Sequence, residues 1–445
     1  MKNKWIICLA ALAAVSCTKP ESEDGPSASV SISAILSDAI TKVAFTPGEK
    51  DGKPYMSLAW AEGDILRVYD HEDHSQFSDF VLDASCIGKK QGRFSGPQIT
   101  AASYDVAILN ASVNYSVQTQ PKDGDAGDLK YIASAENIPG YSSVTFTDVS
   151  GVLRIQAKLP SSEAVASVAS VDITAGEPIF HNGGKSLTIS LSAKLDEGAD
   201  SILDLYAYLP VGSQAIPAGT AMLVRFNAPG TAHTVYSRYF ELPAGSFDSG
   251  KLHVIRLDCR NTDRYAGAAD NGSASAPYLI ADKYQMQALH GLLAAGEKKH
   301  FKMVADVDLE GAAWTPVDAK SAYVSLDGGG KTLSGFTVAG GTDPAGLFST
   351  LNGQVKDLTI SGASVTATTG ASGILAGDLG NSGSEDAVVE GVTITGCHVG
   401  GGDFNGVGGI LAGNIRKAGT SVKDVVVSGQ YFVDDGSPVS VAASM

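Results

Sequence analysis

Three stretches near the C-terminus decide the fold of the last third of the chain: VKDLTISGASV (355–365), VEGVTITGCHV (389–399) and VKDVVVSGQYF (422–432). They begin at Val355, Val389 and Val422, a spacing of 34 and then 33 residues. Within each stretch apolar side chains alternate with polar ones, the period of a strand with one buried face. Between them lie AGLFSTL (345–351), SGILAGDL (372–379) and GGILAGNI (408–415), which are apolar and rich in glycine. A unit of this size cannot bury its apolar side alone, so successive units must stack. A short right-handed parallel β-helix over 276–445 is the expected result. Propeller blades would need four strands per repeat, more than each unit holds.

Upstream, small residues over 261–275 form a linker, and PYLI (277–280) reads as a first short strand. One helix follows, expected over 283–295 as an N-terminal cap on the stack. Asp282 can cap it, with Gln285 three residues on completing a capping box. Leu289, Leu292 and Leu293 supply its apolar side, and Gly296 ends it.

The run Pro277-Tyr278-Leu279-Ile280, Asp306-Val307-Asp308-Leu309, Trp314-Thr315-Pro316-Val317, Leu326-Asp327-Gly328-Gly329-Gly330 and Gly346-Leu347-Phe348 resembles the GLUG-motif proteins in residue type and order, over about 276–415. That resemblance implies a repeat common in bacterial surface proteins and adhesins.

From Ser29 to Leu257 the dominant period is two, as in SVSISAIL (29–36), ILRVYD (65–70), VLRIQAKL (152–159), LDLYAYLP (203–210) and AMLVRFNA (221–228). Turn residues such as Glu62-Gly63-Asp64 and Pro229-Gly230 separate the runs. Short strands at this spacing predict tandem antiparallel β-sandwiches, one over 29–145 and a second over 146–260. The chain as a whole is therefore expected to be all-β.

AITKVAFTPGEKDGKPYMSLAWAEGDILRVYD (39–70) resembles the opening of fimbrillin-like (Mfa-like) lipoproteins of Bacteroides-type bacteria. The matching residues are Thr41-Lys42, Leu58-Ala59-Trp60 and Glu62-Gly63-Asp64 leading to Ile65 and Val68. Phe146 ahead of Leu153 and Ile155, and Ala244-Gly245 before the strand 252–257, match the family's second sandwich. The resemblance covers about 29–259 and implies fimbrillin/transthyretin-like sandwiches in pilus subunits, tips or anchors joined by donated strands. Strand donation works because an incomplete sandwich leaves backbone groups and an apolar cleft unpaired at one edge.

At the N-terminus Lys2 and Lys4 precede an apolar run from Trp5 to Val15, the pattern of a signal peptide over 1–16. Ala14-Val15-Ser16-Cys17 resembles a bacterial lipobox, which implies cleavage between Ser16 and Cys17 and lipid on Cys17. An ordinary secretory peptide with an incidental Cys17 is the alternative. Residues 17–28 form an acidic tether, and Lys19, Glu21, Glu23 and Asp24 resemble the surface-export signal of Bacteroides-group lipoproteins. The expected location is the outer membrane, lipid-anchored through Cys17 and facing the cell exterior, or a fimbrium.

Composition narrows the function. The 445 residues are 44% hydrophobic and 18% charged, with a net charge of −16. Such a surface repels phosphate backbones, so nucleic acid is excluded as a partner. Of the five cysteines, Cys86, Cys259 and Cys397 are scattered, with no disulfide framework or zinc spacing. Cys397 reads as a small core residue.

Candidate chemistry is sparse. Asp70-His71-Glu72-Asp73-His74 offers five polar ligands in a row, but consecutive residues do not converge on one ion, and a hairpin loop is expected there. Asp306 and Asp308 share one side of a strand and invite comparison with a catalytic acid pair. Stabilising a turn is the expected role for that DxDL. DGGGK (327–331) lacks phosphate-loop spacing and reads as a turn. His181, His233, His253, His290, His300 and His398 are isolated from any nucleophile or metal motif. Tyr323, Phe336, Phe404 and Tyr431 are expected in the core rather than as stacking platforms. No cofactor and no metal are expected.

These residues point to a non-catalytic cell-surface lipoprotein acting as a fimbrial tip or accessory subunit, or as an adhesin. Its expected partners are the membrane through Cys17, other fimbrial subunits by strand donation, and a host or bacterial glycan or protein. The competing reading is a polysaccharide-binding or polysaccharide-cleaving lipoprotein that uses the β-helix groove. The tail SPVSVAASM (437–445) is suited to pairing as a last strand or to being donated.

Overall fold

In the computed structural model the residues described are 29–35, 46–50, 53–57, 59–108, 117–120, 133–141, 143–148, 150–180, 183–191, 201–211, 214–231, 233–248, 251–262, 265–267, 270–381, 385–400 and 408–429. Strands dominate, in several sheets with a sandwich-like layout. Two units partition the chain: Met1–Ala221 with Leu242–Leu257, and Met222–Glu241 with Asp258–Met445.

In the first unit, eight strands form one sheet. Ser29–Ile35 pairs antiparallel with Gln91–Pro97, and Ile65–Asp70 lies antiparallel between Phe77–Leu82 and Tyr104–Ile108. The edges of this sheet are Val144–Thr145 and Thr147–Asp148. These two strands are separated in sequence by Phe146 alone, so the sheet must curl until its edges meet there. Phe146 is buried at that seam with Trp60, Phe80 and Phe94. Burying each such ring contributes about 1.5–3 kcal/mol. Trp60 meets Phe94 edge-on at 4.8 Å and Phe146 at 6.2 Å. Gly92 makes room for this packing, because a Cβ there would lie 2.7 Å from both Trp60 Nε1 and the Phe94 ring.

That unit holds further, smaller sheets, among them the two-stranded pairs Thr46–Lys50 with Lys53–Ser57 and Gln214–Ile216 with Gly245–Phe247. Ser150–Lys158 lies between Ile202–Val211 and Leu252–Asp258. Ser170–Ala175 pairs antiparallel with Ser186–Leu191, and Val117–Gln120 joins Ser186–Leu191 in parallel. Thus a strand preceding residue 145 pairs with one well beyond it, and Val152, Tyr206 and Tyr208 share a core cluster with Trp60. Buried Gln118 fixes this arrangement. Its Nε2 donates to Tyr208 O at 2.9 Å while Tyr208 N donates to its Oε1 at 2.7 Å.

The second unit contains most of the adjacent strands Thr220–Asn227 and Val235–Leu242, then a series of parallel ladders. One sheet carries Tyr278–Ile280, Lys298–Met303, Tyr323–Ser334, Gly353–Ser361, Val388–Glu390 and Ser421–Lys423. A second carries Val317–Asp318, Phe348–Leu351, Ala376–Leu379 and Ala412–Ile415, and a third carries Thr337–Ala339, Ser364–Thr366 and His398–Val399. The spacing of the repeat is also the pairing register: Val355 faces Val389, which faces Val422, and Ile360 faces Ile394, which faces Val427. Inward residues of these columns, Leu326, Val355, Val389, Leu333, Ile360 and Ile394, belong to one buried cluster.

The residues DGGGK lie inside the strand Tyr323–Ser334, where the register shifts between Asp327 and Lys331. Gly329 and Gly330 take positive φ there, so the expected turn is a bulge within a continuous strand. The helix is Lys283–Ala288, followed by a 3-10 turn Leu289–Leu292, shorter than the expected 283–295. Gly291 weakens helix continuation, and Leu292, ending the 3-10 turn, and Leu293, already extended, pack against the core.

Candidate functional site

Asp306 and Asp308 lie in a cleft of about 520 Å³ within the second unit, with Arg225, Asp282, Lys283 and Glu310 around it. Asp306 Oδ1 accepts from Thr332 N at 2.8 Å, and Asp308 Oδ1 accepts from Glu310 N at 2.8 Å. Asp308 therefore holds a turn, as expected, whereas Asp306 ties its segment to the strand Tyr323–Ser334. Glu310 itself has φ 56°, and a Cβ on neighbouring Gly335 would approach Asp308 Oδ1 to 2.7 Å. Glu310 is ion-paired with Lys283 Nζ at 2.8 Å, a contact that raises the lysine pKa. Arg225 Nη2 donates to Ala281 O at 2.5 Å and to Asp306 O at 3.4 Å, while its buried Nε lacks a partner.

Asp282 is the most perturbed acid in this cleft. Its Oδ1 caps the helix by accepting from Tyr284 N and Gln285 N, each at 3.0 Å. Gln285 turns away from the capping-box position: its Oε1 accepts from Ala281 N at 2.7 Å and its Nε2 donates to Thr262 O at 2.8 Å. Burial pushes the Asp282 carboxyl up to about 6 against the pull of those amides. The nearby Ser237 hydroxyl and the Arg225 charge also pull it down, without overcoming burial. A raised carboxyl pKa is a common mark of function. Here, however, Oδ1 is committed to the cap and Oδ2 is sealed from solvent, so Asp282 itself is not open to a substrate.

The turn after Ile65–Asp70 is built from its own acids. Asp70 Oδ1 accepts from Glu72 N, and Asp73 Oδ1 accepts from Ser75 N and Ser75 Oγ. The two histidines do something the linear sequence does not reveal. His71 Nδ1 lies 2.9 Å from Asp105 Oδ1, and His74 Nε2 lies 2.7 Å from Asp105 Oδ2. Asp105 is 5% exposed, on a strand that pairs Tyr104 with Asp70, and Asn137 N donates to its Oδ1 at 2.7 Å. Burial raises the Asp105 pKa, but the Asn137 amide and both imidazoles outweigh it, so the carboxyl sits below its ordinary value. The hydrogen bond to Asp105 raises the His71 pKa. Only strand register brings Asp105 to this turn, and no local motif marks it.

A second groove, of about 590 Å³, crosses the sheet that contains Phe348–Leu351 and Ala376–Leu379. Asp318 faces Thr350, Thr350 faces Asp378, and Asp378 faces Asn414, one residue from each successive strand. Asp378 Oδ1 accepts from Asn414 Nδ2 at 2.8 Å and from Arg416 Nε at 3.1 Å.

Other sequence candidates are accounted for separately. Phe336 is buried, and Tyr323 is half-buried with Lys298 Nζ 5.2 Å above its ring. Cys86, Cys259 and Cys397 are free thiols, and burial pushes Cys259 up to about 12. Among the described residues, no group of three or more His, Cys, Asp or Glu side chains is placed to hold a metal ion. No helix among them is long and apolar enough to cross a membrane. Ser16, Cys17, Lys19, Glu21, Glu23 and Asp24 lie outside the described residues, as do Thr41, Lys42, Leu58, His181, Phe404, Tyr431 and the tail 437–445.

No protein-family model matches the chain, and no curated protein matches it. Among solved structures, a "putative immunoglobulin A1 protease" from Bacteroides ovatus is 21% identical, with 36% of this chain and 59% of that one covered and a TM-score of 0.29. The chain thus spans less than two thirds of that protein. A "putative cell adhesion protein" from Bacteroides fragilis is 9% identical over 51% of this chain and 92% of its own, with a TM-score of 0.29. Another from Bacteroides ovatus is 12% identical over 53% and 93%, with a TM-score of 0.28.

Proposed function

We propose that the chain is an outer-membrane lipoprotein anchored through Cys17, displayed on the cell surface by its acidic tether, and acting without catalysis as an adhesin or fimbrial tip or accessory subunit. In this reading the sandwiches formed from 29–260 are stalk-like, and 276–445 is a short right-handed parallel β-helix capped at its start by the helix after Asp282. The observation that carries it is the row Asp318, Thr350, Asp378 and Asn414, one side chain per strand across a parallel sheet. A repeated row of this kind suits recognition of an extended partner. In the other cleft, by contrast, Asp308 holds a turn, Asp306 bonds a strand amide and Asp282 caps a helix. The groove beside the row favours a second reading, polysaccharide binding, which is compatible with adhesion.

The test compares wild type, a strain lacking the protein and a Cys17→Ala strain. Protease shaving of intact cells should remove the wild-type protein, and Cys17→Ala should release it from membranes. Attachment to mucin-coated and polysaccharide-coated surfaces should fall several-fold without the protein. Protection from shaving, or unchanged attachment, overturns the proposal, and recovery in sheared pilus fractions identifies the fimbrial form.

A further inference from the structure

The second groove has a lining whose hydrogen-bond capacity is partly unused. Both donors to Asp378, Asn414 Nδ2 and Arg416 Nε, go to Oδ1, which leaves Oδ2 to the groove. Asp318 is exposed, and its Oδ1 accepts only from Lys320 N, at 2.8 Å, within its own turn. Thr350 lies between these acids in the ladder and lines the floor. Lys320 and Arg416 stand at the sides as donors, with Asp343 as a further acceptor. The acceptors therefore recur at the spacing of neighbouring strands, about 4.8 Å, and donors flank them.

This mixture discriminates between ligand classes. Three carboxylates disfavour a polyanion, and two cationic side chains disfavour a simple cation. The backbone groups of these strands are already used in parallel ladders, so an extended peptide finds no open edge to pair with. A hydroxyl both donates and accepts, so a chain of hydroxyls fits carboxylate, Thr and guanidinium groups in turn. Strand spacing is also comparable to the length of one sugar ring. We infer that this groove binds a neutral polysaccharide laid across the strands, with Asp318, Thr350 and Asp378 each hydrogen-bonding successive sugar residues. The inference rests on the surface-adhesin reading and supplies its ligand class.

The experiment is affinity electrophoresis of the purified full chain through native gels containing one polymer each: a neutral β-glucan, an α-mannan, a galactan, or the polyanions heparin and polygalacturonate. At least one neutral polymer should retard the wild-type protein. Asp318→Ala and Thr350→Val should each weaken that retardation about five-fold or more while circular dichroism stays unchanged. Asp318→Asn, which keeps an acceptor, should retain most of the binding and serves should the alanine variant misfold. Retardation by polyanions alone, by no neutral polymer, or equally for wild type and variants overturns the inference. Cell attachment separates the two levels. If attachment needs the protein but is indifferent to Asp318→Ala and Thr350→Val, only the groove assignment fails. If attachment does not need the protein, the adhesin reading fails.

Discussion

Asp357 and Gly391 occupy the same position in successive turns of the repeat, and both hold left-handed backbone, with φ of 50° and 64°. Asp424 repeats it at 50°. A Cβ on Gly391 would lie 2.8 Å from Asp357 Oδ1. Asp tolerates this conformation better than most residues and glycine adopts it freely. Gly391→Val should therefore cost about 2 kcal/mol or more through backbone strain, with a further contribution from the contact to Asp357. Asp357→Gly should change stability by less than about 1 kcal/mol. Urea unfolding of both variants checks this, and equal losses would refute the conformational explanation.

Asp282 makes stability depend on pH in an unusual direction for an acid. Its folded pKa of about 6 lies above the ordinary value of 3.8, so the native state holds the proton more tightly than the unfolded chain. Its favourable contribution is complete below about pH 3.8 and is lost as pH rises through about 6. Asp282→Asn keeps an oxygen for the cap but cannot ionise. Relative to wild type, the variant should gain on the order of 2–3 kcal/mol between pH 4 and pH 7. A wild-type to variant difference that stays constant with pH would contradict this.

Asp105 and His71 act oppositely. The lowered Asp105 pKa gives stability that is present above the ordinary carboxylate range and lost as pH falls through the folded value. The raised His71 pKa gives stability present below about 6.5 and lost as pH climbs past its folded value. The turn 71–76 should be best protected from hydrogen exchange at mildly acidic pH and open on either side. Asp105→Asn should flatten that profile. A profile unchanged by this substitution would show that the two histidines are not held through Asp105.

The repeat was legible because stacking demands a constant spacing, and Val355, Val389 and Val422 carry that spacing directly. The turns were legible for the same local reason, as at Gly63 with φ 84° before Asp64. Long-range polar contacts were not. Nothing near Asp105 announces His71 and His74, and Gln118 reaches Tyr208 across 90 positions. The cap at Asp282 was visible, whereas the route of the Gln285 side chain depends on Thr262 O and Ala281 N, which only the folded chain supplies. The groove row follows from register between strands of unequal spacing, where 350 faces 378 but 378 faces 414.

Gln118 and Tyr208 yield the last prediction. The Gln118 amide satisfies both the N–H and the C=O of Tyr208 in a buried setting. Gln118→Leu keeps similar volume but removes both partners, and each abandoned backbone group costs about 1–3 kcal/mol. The summed loss should be about 2–6 kcal/mol. Gln118→Glu keeps the acceptor for Tyr208 N and, while its carboxyl is neutral at low pH, can still donate an O–H to Tyr208 O, so there it should lie nearer wild type than leucine. Ionisation of that buried acid should then make it worse as pH rises. Chemical denaturation of the three proteins at pH 5 and pH 8 reads this order. If leucine matches wild type at both values, the clamp does not hold the strand Val117–Gln120 in place.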